Sequence, residues 1–150
     1  MSRPVKLRKI KQLPIYDYFK PIGVTMVKLD QVDLKIEELE AMRLKDIEGL
    51  SQIECAEMMK VSRQTFQLII DNARKKVAIA LTQGKAIKIY GGNYTLNICQ
   101  YSCSSCGNTY EAAYEKALHV CPSCGSNDIL CESKNKFCFD QCIKIEREEK

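Results

Sequence analysis

Between residues 34 and 82 the apolar positions recur at helical spacing. Ile36, Leu39, Met42, Ile47 and Leu50 stand among charged neighbours and predict a first helix, which Gly49 ends at about its C′ position. Ser51, with Glu54 three residues on, forms a capping-box pattern and opens a second helix, QIECAEMM. Lys60-Val61 make a short turn. Ser62 is the N-cap of a long third helix, RQTFQLIIDNARKKVAIAL, which Gly84 stops. Its stripe of Phe66, Ile69, Ile70, Ala73, Val77 and Ala80 falls within a narrow arc at helical pitch. Over residues 86–98 the period changes to two. Ile87 and Ile89 alternate with Lys88 and Tyr90, Gly91-Gly92 is a two-residue loop, and Tyr94, Leu96 and Ile98 alternate with Thr95 and Asn97. This pattern predicts a β-hairpin with Ile89 opposite Tyr94 and Ile87 opposite Leu96.

Residues 1–30 show neither period. Pro4, Pro14, Pro21 and Gly23 interrupt them, so they read as an arm with little regular structure whose aromatics, Tyr16, Tyr18 and Phe19, dock on the next domain. From residue 99 cysteine dominates. The expected architecture is therefore a basic arm (1–30), a mainly α helix-turn-helix domain of three helices plus a β-hairpin (31–92), and a small β zinc-ribbon domain with a cysteine-rich tail (93–150).

The helix-turn-helix reading rests on packing and on what faces outward. A small residue must sit where two such helices cross, and Ala56 stands there. Cys55, Met59, Val61, Phe66 and Ile69 have the offsets that fill the wedge. The outer face of the third helix then carries Arg63, Gln64, Gln67, Leu68, Asp71 and Lys75. Arg and Gln can make paired hydrogen bonds to guanine and adenine edges in the major groove. Ser62 and Thr65 at the N-terminus suit a phosphate, and Arg74, Lys75 and Lys76 would add contacts to the DNA backbone. A plain helical bundle shares the amphipathic period; the caps, the spacing and the polar outer face favour the nucleic-acid reading. Lys60 stands where many such turns use Gly, and a left-handed Lys costs about 1 kcal/mol.

Charge adds to this picture. The chain has 150 residues and a net charge of +4. Residues 1–30 hold seven Lys/Arg against two Asp/Glu, residues 31–92 ten against nine, and residues 93–150 six against eight. The positive charge is concentrated at the front, which suits a polyanion such as duplex DNA.

The stretch ELEAMRLKDIEGLSQIECAEMMKVSRQTFQLIIDNARKKVAIALTQGKAIKIYGG, with RPVKLRKI and YFKPIGV before it, resembles the predicted DNA-binding proteins of uncharacterised protein family 0251. The likeness covers about residues 3–92. It implies a bacterial or archaeal source and a helix-turn-helix similar to region four of the sigma factors, with the DNA-binding helix at about residues 62–80. Lys60 at the turn and Cys55 in the second helix depart from the family's pattern.

Cys103-Ser-Ser-Cys106-Gly and Cys121-Pro-Ser-Cys124-Gly are paired C-x2-C-G turns, with fourteen residues between Cys106 and Cys121. Two-residue spacing lets both sulfurs of a turn reach one ion, and the following Gly lets the turn curl so that N–H groups face the sulfurs. Four cysteines closed around Zn²⁺ are the expected arrangement, with iron in a rubredoxin-like site as the weaker alternative and disulfides last. Tyr101, Tyr110 and Ser126–Ile129 also resemble the flanks of zinc ribbons. His119, the single histidine, reads as a strand residue rather than a ligand. Cys99, Cys131, Cys138 and Cys142 read as buried small side chains, with a second metal or redox site as the alternative.

No phosphate loop, G-x-S-x-G or H-E-x-x-H occurs, and one histidine leaves little scope for acid–base chemistry. The acidic residues read as solvated charge spread over helices, so an enzyme is not expected. No apolar stretch of about 18 residues is present, and the basic N-terminus lacks the apolar core of a secretory signal; a cytoplasmic, nucleoid-associated protein is expected. The leading expectation is a transcriptional regulator that binds double-stranded DNA, as a homodimer if paired half-sites are read. A metal- or redox-responsive switch of DNA binding, and an adaptor for RNA or RNA polymerase, are the alternatives.

Overall fold

A computed structural model describes residues 5–113 and 120–131. These divide into two compact units between Tyr94 and Thr95. Among the described residues no helix is long and apolar enough to cross a membrane.

The first unit is built on a three-stranded sheet and three helices. In chain order it contains β1 (Arg8–Lys9), β2 (Tyr18–Phe19), β3 (Gln31–Leu34), α1 (Ile36–Met42), α2 (Gln52–Met59), α3 (Arg63–Gln83) and β4 (Ala86–Ile89). All three helices lie in the crossover between β3 and β4. The two strands accordingly run parallel, with Val32 beside Ile87 and Leu34 beside Ile89. β2 takes the other edge of β4, antiparallel, pairing Tyr18 with Lys88 and Phe19 with Ile87.

That sheet replaces the expected hairpin. The alternation over 86–90 is a genuine strand signal, but both hydrogen-bonding edges of β4 are taken by β3 and β2. Tyr90 N–H continues the parallel ladder to Leu34 C=O at 3.0 Å, and Gly91 C=O accepts from Ile36 N–H at 3.2 Å. Period alone identifies a strand and does not name its partner. The arm is also more regular than expected. It supplies β1 and β2, Ile10 is 1% exposed, and Arg8 N–H donates to Asn93 C=O at 2.9 Å. Its prolines interrupt helix, but they leave short edge strands free to form. Of its aromatics, Tyr18 is half-buried, while Tyr16 and Phe19 are 74% and 54% exposed.

The helix boundaries follow their caps. Ser51 Oγ accepts from Glu54 N–H at 3.2 Å and Glu54 returns the bond to Ser51 N–H at 2.9 Å. Ser62 Oγ accepts from Thr65 N–H at 3.1 Å. Between α2 and α3, Lys60 adopts the left-handed conformation, at φ 55° and ψ 43°, the only non-glycine with positive φ among the described residues. This sharp corner lets α3 fold back on α2. Phe66, Ile69 and Ile70 then pack with Cys55, Ala56, Met59, Ala41 and Leu44 in one buried cluster.

α1 departs from its expected pattern. After Met42 the chain widens into a π-helical turn over Arg43–Ile47, closed by Glu48 N–H to Arg43 C=O at 3.0 Å. The extra residue shifts the phase, so Leu44 is buried while Ile47 is 79% exposed. Glu37, Glu38 and Glu40, expected as solvated charge, are 3–5% exposed. Each is compensated where it lies. Glu37 accepts from Asn93 N–H at 3.1 Å, Glu38 from Lys35 N–H at 2.9 Å and from Lys76, and Glu40 from Arg43.

A two-residue strand, β5 (Tyr94–Thr95), marks the division. The second unit contains β6 (Ile98–Cys103), β7 (Thr109–Ala113) and β8 (Ile129–Cys131), an antiparallel sheet in the order β7-β6-β8. Tyr101 stands opposite Tyr110 on one side and Cys131 on the other. The two tyrosine rings stack at 5.4 Å.

Candidate nucleic-acid interface and metal centre

The first candidate site lies at the start of α3. The Ser62 cap turns the first helical residues outward, and Ser62, Arg63 and Gln64 are exposed. With Gln52 of α2 and Gln67 they line an open groove of about 490 Å³. Leu68 is 66% exposed beside it, and Thr65 and Gln67 are half-buried. Behind this face Phe66 is completely buried, so the polar edge is held on a fixed base. Ser62 also donates its hydroxyl proton to Thr65 Oγ1 at 2.9 Å.

The structure separates the remaining expected contacts into two groups. Asp71 and Lys75 are exposed, and Asp71 accepts from Gln67 Nε2 at 2.8 Å. Arg74 and Lys76 are instead turned toward the α1 side. Arg74 pairs with Asp46 at 2.6 Å, and the hydrogen bond raises the Arg74 guanidinium while it lowers the Asp46 carboxyl. Lys76 Nζ reaches both oxygens of the buried Glu38, at 2.8 and 3.0 Å. Their partners are 28 and 38 residues away in the chain, so no local pattern reveals that these two cations are paired. Gln52 was not expected in the site; it stands one residue after a helix cap and lacks any distinguishing periodicity.

The second candidate site is in the second unit. Cys103 ends β6 and Cys106 follows in the turn to β7; Cys121 and Cys124 form the matching turn before β8. The two turns share one hydrogen-bond plan. Cys103 N–H donates to Asn108 C=O at 2.9 Å and Cys121 N–H to Ser126 C=O at 2.8 Å, while Gly107 and Gly125 donate to Cys103 and Cys121 C=O at 2.9 Å. Both glycines have φ 75°, which an L side chain rarely adopts. The turns are tied together by Ser104 N–H to Asp128 C=O at 2.9 Å and Ser105 Oγ to Ser126 Oγ at 2.8 Å.

All four sulfurs lie within 4.8 Å of one another, a set that can hold a metal ion. Cys103 and Cys124 are 3.6 Å apart, and Cys106 and Cys121 are 3.7 Å apart. The environment is uneven. The N–H groups of Cys124 and Ser123 pull the Cys121 thiol down to about 6 against the effect of burial, and the N–H of Cys106 lowers Cys103 likewise. At Cys124 the Ser126 N–H also acts downward, but burial and the three neighbouring sulfurs push the thiol up to about 12. Each turn thus pairs one thiol shifted down with one shifted up, and across the turns Cys103 stands beside Cys124 and Cys121 beside Cys106.

Cys99 is 2% exposed and Cys131 is half-buried. His119, Cys138 and Cys142 lie outside the described residues.

A family model described as "Protein of unknown function DUF134" matches residues 1–97. The chain belongs to this family. Among curated relatives, a UPF0251 protein of Clostridium botulinum (strain Loch Maree / Type A3) is 54% identical over 149 residues, covering 99% of this chain and 95% of its own length. UPF0251 proteins of Clostridium tetani and Clostridium beijerinckii are 56% and 54% identical over 142 residues each, covering 95% of this chain and 97% and 96% of theirs. The DUF134 match takes in the whole first unit, and the clostridial matches extend through the cysteine turns as well. No solved structure matches.

Proposed function

We propose that this DUF134 protein is a cytoplasmic, sequence-reading regulator of double-stranded DNA, and that its second unit is a structural zinc ribbon. One observation carries the first part. The capped start of α3 presents Arg63, Gln64 and Gln67 together in one open groove, on a helix that folds back over α2 at the Lys60 corner. Two helices in that relation, with amide and guanidinium groups outward, suit the major groove. The exposed Lys6, Lys11, Lys20, Lys28 and Lys75 supply cations for the phosphate backbone.

The four cysteines fit a tetrahedral ion. Zn–S bonds of about 2.3 Å require sulfurs about 3.8 Å apart, and two of the pairs already stand at 3.6 and 3.7 Å. Cys103, Cys106, Cys121 and Cys124 would hold zinc with no position left open, which suits structure rather than catalysis.

Enrichment from a randomised duplex library, followed by fluorescence anisotropy on the enriched sequence, tests the DNA reading. Arg63→Ala and Gln67→Ala should each lower affinity for that sequence by about 1–3 kcal/mol. An enriched sequence bound equally well by both variants would remove α3 from the interface. Elemental analysis of protein purified without added metal tests the ribbon, with one zinc per chain expected.

A further inference from the structure

Four side chains around the α3 groove form a single hydrogen-bonded file. Arg63 Nε donates to Gln52 Oε1 at 3.4 Å, Gln52 Nε2 donates to Gln67 Oε1, and Gln67 Nε2 donates to Asp71 Oδ1 at 2.8 Å. The ends of this file fix its direction. Arg has only donors and an ionised Asp has only acceptors, so neither amide between them can be flipped without setting donor against donor or acceptor against acceptor. Gln67 must therefore show its NH2 toward Asp71 and its oxygen toward Gln52.

Each amide group has capacity left over. Gln67 keeps one N–H and one oxygen lone pair, and it lines the groove. In the major groove adenine offers N7 as acceptor and N6–H as donor, the complement of an amide presented in one orientation only. A free glutamine turns its amide end for end at little cost. This one is held.

From that geometry we infer that Gln67 is an adenine reader whose orientation is set by Gln52, a positioning residue on the preceding helix, with Asp71 as the second anchor. The inference rests on the DNA reading above and adds to it which base is read and what makes the reading selective. Gln52 and Asp71 need not touch the base.

The test uses the full chain and the duplex enriched from a randomised library. Each base pair of that duplex is replaced in turn, and the affinity ratio is measured at every position. Gln67→Ala should flatten one adenine position, losing roughly 5- to 150-fold of discrimination there. Gln52→Ala should weaken discrimination at the same position more than at any other. The double variant Gln52→Glu, Asp71→Asn reverses the file, because the new carboxylate at position 52 accepts from the Gln67 NH2 and the new amide at position 71 donates to the Gln67 oxygen. It keeps every hydrogen bond and the Arg63 contact, so it should retain the parent's unfolding midpoint while losing the adenine preference.

Three results would overturn the inference. Gln67→Ala could flatten a position other than an adenine; Gln52→Ala could weaken all positions equally; or the reversed double variant could keep the parent's preference. If the parent enriches no duplex sequence, the DNA reading itself fails, a result distinct from all three.

Discussion

Gly92→Ala offers a sharp test of how the first unit is closed. Gly92 has φ +102°, and a Cβ there would overlap the Glu37 carboxylate, with Cδ at 2.8 Å and Oε1 at 3.0 Å. Glu37 cannot simply swing away. It is 3% exposed, and its Oε2 accepts from Asn93 N–H at 3.1 Å. Two contributions follow. Holding an alanine in that backbone region costs about 1–3 kcal/mol. Displacing the carboxylate from its N–H costs about 1.5–3 kcal/mol more, the usual range for a bond to a charged group. Gly92→Ala should therefore destabilise by about 2.5–6 kcal/mol. Urea unfolding followed by far-UV circular dichroism reads the effect as a lower midpoint at unchanged slope. In a Glu37→Ala background the clash is absent and only the backbone strain of about 1–3 kcal/mol should remain. The two substitutions should thus be coupled by about 1.5–3 kcal/mol in a double-mutant cycle. An equal loss from Gly92→Ala in both backgrounds would refute the account of Glu37 as the group that Gly92 accommodates.

Four further outcomes are expected. If the four cysteines hold structural zinc as proposed, a chelator or Cys121→Ser should unfold the second unit while helical dichroism persists, since such zinc contributes about 10–16 kcal/mol in small domains; an unchanged second unit would refute that reading. Because the Arg74 hydrogen bond holds the Asp46 carboxyl below its ordinary value, the pair adds stability above the unfolded-state value of about 3.9 and loses it as pH falls through the lower folded value. Arg74→Ala should accordingly raise the Asp46 midpoint in an NMR titration, and a midpoint that stays put would show the pair is not formed in solution. Lys60→Gly should stabilise by up to about 0.5 kcal/mol in thermal or urea unfolding, as relief at φ 55° slightly exceeds the added chain entropy. Lys75→Ala should lower the salt slope of duplex binding by about 1, whereas Arg74→Ala should leave it unchanged.

What could be read from the sequence was local. Ser51-Glu54 and Ser62 mark helix starts because a cap is satisfied within three residues, and the paired C-x2-C-G turns announce themselves because ligand spacing and the glycine are adjacent in the chain. What could not be read was pairing at a distance. The strand at 86–89 showed its period, yet its partners are Gln31–Leu34, on the far side of three helices, and Tyr18–Phe19, within the arm. The glutamates of α1 looked solvated because the groups that compensate Glu37 and Glu38 are Asn93 and Lys76. The Arg43–Ile47 turn hid in a regular-looking amphipathic stretch, since one inserted residue rotates the stripe without changing composition.

The cations of α3 show how the same helix divides its duties along its length. In the later turns Arg74 and Lys76 are spent on Asp46 and Glu38, so they bind α1 and its π-helical turn to α3. In the first turns Ser62, Arg63, Gln64 and Leu68 are exposed and Thr65 and Gln67 half-buried, over the buried Phe66. Surface ion pairs such as Arg74–Asp46 add little stability, because exposed charges are screened. What they add is direction: a cation already opposed by a carboxylate is a poor phosphate contact. Lys76 is better shielded, since the Glu38 it meets is only 4% exposed. Both keep positive charge off the rear of the helix. On the proposed DNA reading, attraction to the polyanion falls to Lys75 and to the exposed lysines of the first thirty residues, and discrimination among bases falls to the groove at the head of α3. Under that proposal a chain of modest net charge would hold the duplex with one region and inspect it with another.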